Sequence, residues 1–229
     1  MATTELNPSS IDPNLGAQIV ADAKEHVLYS WSVQNAINPI PVAGALGRYF
    51  WDYDGNRYLD FASQLVNVNI GHQHPKIIQA IKDQADKLCT IGPPMATEPR
   101  STLGRMLAEV TPGNLKMSFF TNGGAEANEN AIKLARWYTG RQKVIARYRS
   151  YHGATAGAIT MTGDPRRWHA EPGIPGVVRM LDPYTYRCPA GHPDPCPVCS
   201  GGPHLEEILQ YEGAHTVAAV ILETGQAIG

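Results

Sequence analysis

The chain has 229 residues, of which 43% are hydrophobic and 17% charged, with a formal net charge of −2. That composition belongs to an ordinary globular protein, long enough for one large domain or two small ones. Lys and Arg are scattered, which excludes the basic stripe of a nucleic-acid binder. The longest apolar run, Val217–Leu222, is far short of a membrane span.

Residues 1–16 are polar, without the basic and apolar regions of a secretory signal, so a cytoplasmic protein is expected. Ile19, Val20, Ala23, Val27 and Trp31 recur at helical spacing and predict a helix over residues 17–36, ended by Pro39 and Pro41. The run GRYFWDYDGNRYLDFAS places two aromatic-rich segments around Asp54-Gly55, the signature of a tight β-hairpin. Residues 71–89 read as an amphipathic helix with Ile77, Ile78, Ile81, Ala85 and Leu88 on one side. A Pro-rich loop follows over residues 91–100, and a second helix over 101–110, broken by Thr111-Pro112-Gly113.

From Met117 the rhythm changes to strand, loop, helix. Strands are predicted at 117–121, 144–148, 177–181 and 216–223, with helices at 126–138 and 205–211. Alternation of this kind predicts an α/β fold with a mostly parallel sheet and flanking helices, begun near Pro75 after a smaller lobe of helix and β-hairpin. The last strand, apolar on both faces, reads as a central parallel strand. No helix follows it, and so the chain is expected to be the front part of a longer one.

The sharpest local signal is MSFFTNGGAEANENAIKLAR. A strand would enter Asn122-Gly123-Gly124-Ala125 and a helix would leave at Glu126, aiming backbone N–H groups at an anion. A Cβ there would obstruct a phosphate. The loop is neither a Walker A sequence nor GxGxxG. Cys188, Cys196 and Cys199 lie close together, with His192 and His204 nearby. Zinc usually takes two close ligand pairs, and only one is present in this Pro-rich stretch, so reduced thiols on a surface insertion are expected and no metal.

Taken in order, GRYFWDYDGNRYLDFAS, GHQHPKIIQAIKDQ, FFTNGGAEANENAIKLAR, YRSYHGATAGAITMTGD and AAVILETGQ resemble the class III aminotransferases from about Leu15 onward. The resemblance implies fold type I and the cofactor pyridoxal 5′-phosphate. Residues 1–74 would form an arm and part of a small domain, and 75–229 the first part of the cofactor-binding large domain. Backbone amides of Gly123, Gly124 and Ala125 would hold the cofactor phosphate. Tyr151 would lie against its ring, with His152 beside it and the Glu223 carboxylate near the ring. Trp31 would wall the substrate pocket. Substrates would be an amine or amino acid and a 2-oxo acid such as pyruvate or 2-oxoglutarate, handled by a homodimer.

Small departures from the family pattern stand at Gln64, Gly123 and Thr224, where the family favours Gly, Ser and Pro. The larger one concerns catalysis. The Schiff-base Lys and the Asp that pairs with the ring nitrogen are expected beyond Gly229, and none of Lys24, Lys76, Lys82, Lys87, Lys116, Lys133 and Lys143 matches the family position. Racemases and aminomutases share the fold. A half-length binding protein and a zinc-binding module built on the three cysteines are the other readings.

Overall fold

The structure is a computed structural model that describes residues 11–188, 191–193, 196 and 202–223. The chain forms two compact units, one ending at Thr97 and the other beginning at Glu98.

In the first unit, helix α1 (Pro13–His26) starts with Pro in its first turn and with Asp12 as its cap, accepting from the Asn14 and Leu15 amides at 3.0 and 3.2 Å. It ends well before residue 36. The Gln34 carboxamide takes both the Tyr29 amide (3.1 Å) and the Tyr29 carbonyl (2.6 Å), and Trp31 adopts φ +56°, so this stretch leaves the helix.

Strands β1 (Val42–Leu46), β2 (Tyr49–Asp52) and β3 (Arg57–Leu59) form an antiparallel sheet in chain order. The Asp54-Gly55 turn is present, with Gly55 at φ +84°. Strand β1 was not foreseen. Buried Asp52 pins the turn, accepting from the Asp54 and Asn56 amides, the Asn56 side chain and the Tyr58 hydroxyl (2.7 Å). A left-handed turn over Ser63–Val66 follows, all four residues at φ between +50° and +66°. His72 Nε2 then meets Asp60 Oδ2 at 2.7 Å, ahead of helix α2 (Pro75–Lys87).

In the second unit, helix α3 (Glu98–Val110) begins slightly earlier than its pattern suggests. Residues 117–121 are not a strand: no neighbouring strand among the described residues offers them a ladder, and Met117 and Phe119 stand exposed. Helix α4 (Gly124–Thr139) is closed by Gly140 in the left-handed conformation at φ +68°. Strands β4 (Lys143–Arg147), β5 (Val177–Met180) and β6 (Val217–Val220) are parallel, in the order β5-β4-β6.

Successive side chains of β4 pack on opposite faces of the sheet. Val144 and Ala146 pack with Ile132 of α4 and with Met161 of helix α5 (Ala156–Met161), while Ile145 packs toward Leu205, Ile208 and Leu209 of helix α6 (Gly202–Glu212). The sheet therefore has helices on both faces, which is why Val144, Ile145 and Ala146 are apolar in succession. Among the described strands β6 pairs with β4 alone.

Two glycines test the packing. A Cβ on Gly163 would lie 2.4 Å from the Arg147 carbonyl oxygen and 2.6 Å from Tyr148 Cα, whereas one on Gly104 of α3 would meet nothing within 4 Å. Gly163→Ala is expected to lower stability by about 1–3 kcal/mol. Gly104→Ala should raise it by roughly 0.5–1 kcal/mol. Urea unfolding midpoints check both.

Candidate functional site

At the start of α4, Gly123 is the cap, in extended backbone, and Gly124 opens the first turn. The amides of that turn have no acceptor within the helix, and its end carries the positive pole of the dipole. A Cβ on Gly123 or Gly124 would meet nothing within 4 Å, so the two glycines leave open space in front of these donors. Glu126 turns back to accept from the Asn122 amide (2.9 Å) and side chain (3.1 Å), which ties the loop to the helix. A helix start of this kind can receive an anion such as a phosphate.

The segment Tyr151-His152-Gly153 is fastened against the same helix. Gly153 sits at φ +133°, and a Cβ there would lie 2.5 Å from Ala125 Cβ and 2.8 Å from its Cα. Asn128 of α4 donates to the His152 carbonyl at 2.7 Å, and the His152 amide donates to Thr162 Oγ1 at 2.9 Å. Glu129 accepts from the Gly157 and Ala158 amides at 2.7 and 3.1 Å, holding the start of α5. Burial pushes the Glu129 carboxyl up, but the Thr155 hydroxyl and these amides outweigh it and leave the group below the usual carboxylate range. The Arg166 guanidinium lies 4.1 Å from the centroid of the Tyr151 ring and is held by Asp164 at 2.6 Å.

Side chains converge at the carboxyl edge of the sheet. Arg147 ends β4, Asp182 follows β5, and Glu223 follows β6. Arg147 Nε donates to Glu223 Oε2 at 2.8 Å and lies 3.6 Å from Asp182 Oδ1. His152 Nε2 stands 3.7 Å from Glu223 Oε1. Burial pushes the Asp182 carboxyl up, against the attraction of Arg147 and Arg149. It also holds the His152 imidazole below its ordinary value, opposed by Glu223 and helped by Arg147.

These shifts carry a sign. A His with a depressed native pKa binds its proton more readily when unfolded, so stability is complete above the unfolded value of about 6.5 and is lost as pH falls through it. Asp182 acts oppositely at lower pH, where the native state holds the proton more firmly. Unfolding free energy is expected to drop between about pH 7.5 and 5.5, and to drop less in His152→Gln. Urea titrations across that window check it.

Gly123, Gly124, Ala125, Tyr151, His152 and Glu223 all lie in the second unit. Direct contacts link Ala125 to Gly153 and His152 to Glu223. Trp31 belongs to the first unit and is about half exposed. Cys188 Sγ and Cys196 Sγ approach to 3.5 Å, wider than a disulfide, and Cys199 lies outside the described residues. Sequence reasoning missed Arg147, Asn128, Asp182 and Arg166. A lone Arg at the end of an apolar strand carries no spacing signal. Gly153 stood inside a quoted motif without being assigned a task.

Comparison with known proteins identifies the family. The family described as Aminotransferase class-III matches residues 31–229. A probable 4-aminobutyrate aminotransferase of Bacillus subtilis (strain 168) is 38% identical over 75% of this chain and 40% of its own length. An isoleucine 2-epimerase of Lentilactobacillus buchneri is 37% identical over 72% of this chain and 37% of its own. The structure of a taurine:2-oxoglutarate aminotransferase from Bifidobacterium kashiwanohense, in complex with PLP and glutamate, superposes with TM-score 0.83 at 43% identity. It is covered over 91% of this chain and 48% of that one. The chain thus spans about half the length of the proteins it matches, or less. With a parallel sheet of the fold-type-I kind and a match across most of its length, the chain belongs to the class III aminotransferases, whose cofactor is pyridoxal 5′-phosphate.

Proposed function

We propose that the carboxyl edge of the β5-β4-β6 sheet binds pyridoxal 5′-phosphate in an enzyme that moves an amino group from an amine or amino acid to a 2-oxo acid such as pyruvate or 2-oxoglutarate. The observation that carries this reading is the run of contacts from Ala125 to Gly153, and from His152 to Glu223. It joins an anion-binding helix start to a strand edge bearing an aromatic ring and a carboxylate. Ligands of open α/β sheets bind at such an edge.

The amides of Gly123, Gly124 and Ala125 receive the phosphate, and the α4 dipole favours its charge. Tyr151 supplies a flat face that orients a ring and excludes water from it. Burial holds the His152 imidazole below its ordinary value, and the Glu223 carboxylate lies beside that ring. Once bound, the cofactor supplies an aldehyde for the amine and a ring that accepts electron density.

The covalent anchor is assigned to none of these residues. Lys143 sits at the other end of β4, paired with Glu212 at 2.8 Å, and Lys133 lies over the Trp137 ring. In this reading residues 1–74 serve as arm and small domain and 75–229 as the first part of the cofactor domain, in a cytoplasmic homodimer. No described helix is long and apolar enough to cross a membrane. Epimerisation is the second reading, favoured by the likeness to the isoleucine 2-epimerase over much of the chain.

Calorimetric titration with pyridoxal 5′-phosphate and with inorganic phosphate tests the assignment. Gly124→Val should weaken cofactor binding about tenfold or more, the equivalent of one lost charge-assisted contact, with the melting temperature unchanged. Unchanged affinity would refute the phosphate loop. The 229-residue chain alone should show no transamination, whereas turnover with a borohydride-fixed adduct on one specific lysine would show the anchor misassigned.

A further inference from the structure

Three buried polar atoms near the carboxyl edge of the sheet have no hydrogen-bond partner among the described residues: Arg147 Nη2, His152 Nε2 and Asp182 Oδ1. Buried groups of this kind are rarely left unpaired without a reason. Here the reason lies in how one cation is divided between two carboxylates. Arg147 gives its Nε to Glu223 Oε2 at 2.8 Å and lies 3.6 Å from Asp182 Oδ1, whose other oxygen is 3.8 Å from Arg149. Glu223 Oε1 is left 3.7 Å from His152 Nε2, outside hydrogen-bonding distance.

We propose that Arg147 is the positioning residue of the sheet edge: its guanidinium captures Glu223 and holds that carboxylate off His152.

The same chain offers the contrast. Asp60 is backed by the Gln64 amide rather than by a guanidinium, and it closes on His72 Nε2 to 2.7 Å. A carboxylate with no cation of its own draws an imidazole into a direct pair. One already engaged by Arg147 does not. The groups facing His152 are few. Glu223 approaches from the end of β6 and Arg147 from β4, while Asp182 and Arg149 act through Arg147. Asn128 of α4 and Thr162 contact only the His152 backbone and are neutral. The hold of Arg147 on Glu223 therefore limits how far that carboxylate offsets the burial of His152. That this matters to a bound cofactor rests on the reading above; the charge arrangement itself does not.

The test is an NMR titration of ¹⁵N-labelled imidazoles in the unliganded chain, with His72 as internal reference. Arg147→Met should shift the His152 midpoint upward, because Glu223 then faces the imidazole alone. Arg147→Lys, which keeps the charge but loses the fork, should shift it upward by less. Adding Glu223→Gln to either variant should abolish the upward shift. If Arg147→Met fails to fold, the Lys variant and its Glu223→Gln partner carry the same comparison. An unmoved His152 midpoint with a lowered melting temperature would mean that Arg147 only stabilises the fold, and would overturn the proposal. Because no cofactor is added, failure here is separable from failure of pyridoxal 5′-phosphate to bind.

Discussion

The close approach of Gly153 to Ala125 leaves no volume for a side chain, and the positive φ of Gly153 would disfavour one in any case. The loop after the central strand is thereby pressed onto the first turn of α4, where the helix has free amides to offer. The Asn128 bond to the His152 carbonyl and the Glu129 bonds to the start of α5 repeat the same fastening about one turn along. A helix start and a strand end are brought together by backbone contact, and the side chains that touch a ligand need only project from that frame.

The charged residues occupy the other half of the frame. Arg147 is almost fully buried, and removing one member of a buried ion pair costs more than the pair contributes. Its two carboxylates come from segments that follow β5 and β6, so the guanidinium also ties the three strand ends together. Packing of Val144, Ile145 and Ala146 sets the strands side by side. The ion cluster then aligns their ends.

Much of this could be read from residue order. Asp54-Gly55 announced its hairpin because positive φ at a turn is a local demand that few residues meet. Helix α4 was legible because its apolar residues recur at helical spacing, and strand β4 because Val144, Ile145 and Ala146 form an apolar run. Tertiary effects were not legible. Residues 117–121 read as a strand, but strand formation depends on a partner, and the sequence does not say whether one is at hand. The stretch around Trp31 read as helix because apolar spacing is blind to a Gln34 side chain that takes the Tyr29 backbone groups instead. Among the site positions, those in glycine-rich or aromatic motifs stood out. Arg147 and Asp182 did not, since their significance arises only when separate strand ends meet.

The left-handed turn over Ser63–Val66 has a consequence for how the first unit fluctuates. Four successive non-glycine residues in that conformation store energy on the order of 1–2 kcal/mol each. They are restrained by bonds such as the Gln64 amide to Asp60 Oδ1 and the Asn67 amide to the Ser63 carbonyl. When those bonds open, the backbone relaxes toward right-handed or extended geometry and recovers the stored energy. Opening here is therefore cheaper than elsewhere in the hairpin unit. Amide hydrogens of residues 63–67 will exchange with solvent ahead of those in β2, and a protease will find its first purchase at the exposed Leu65.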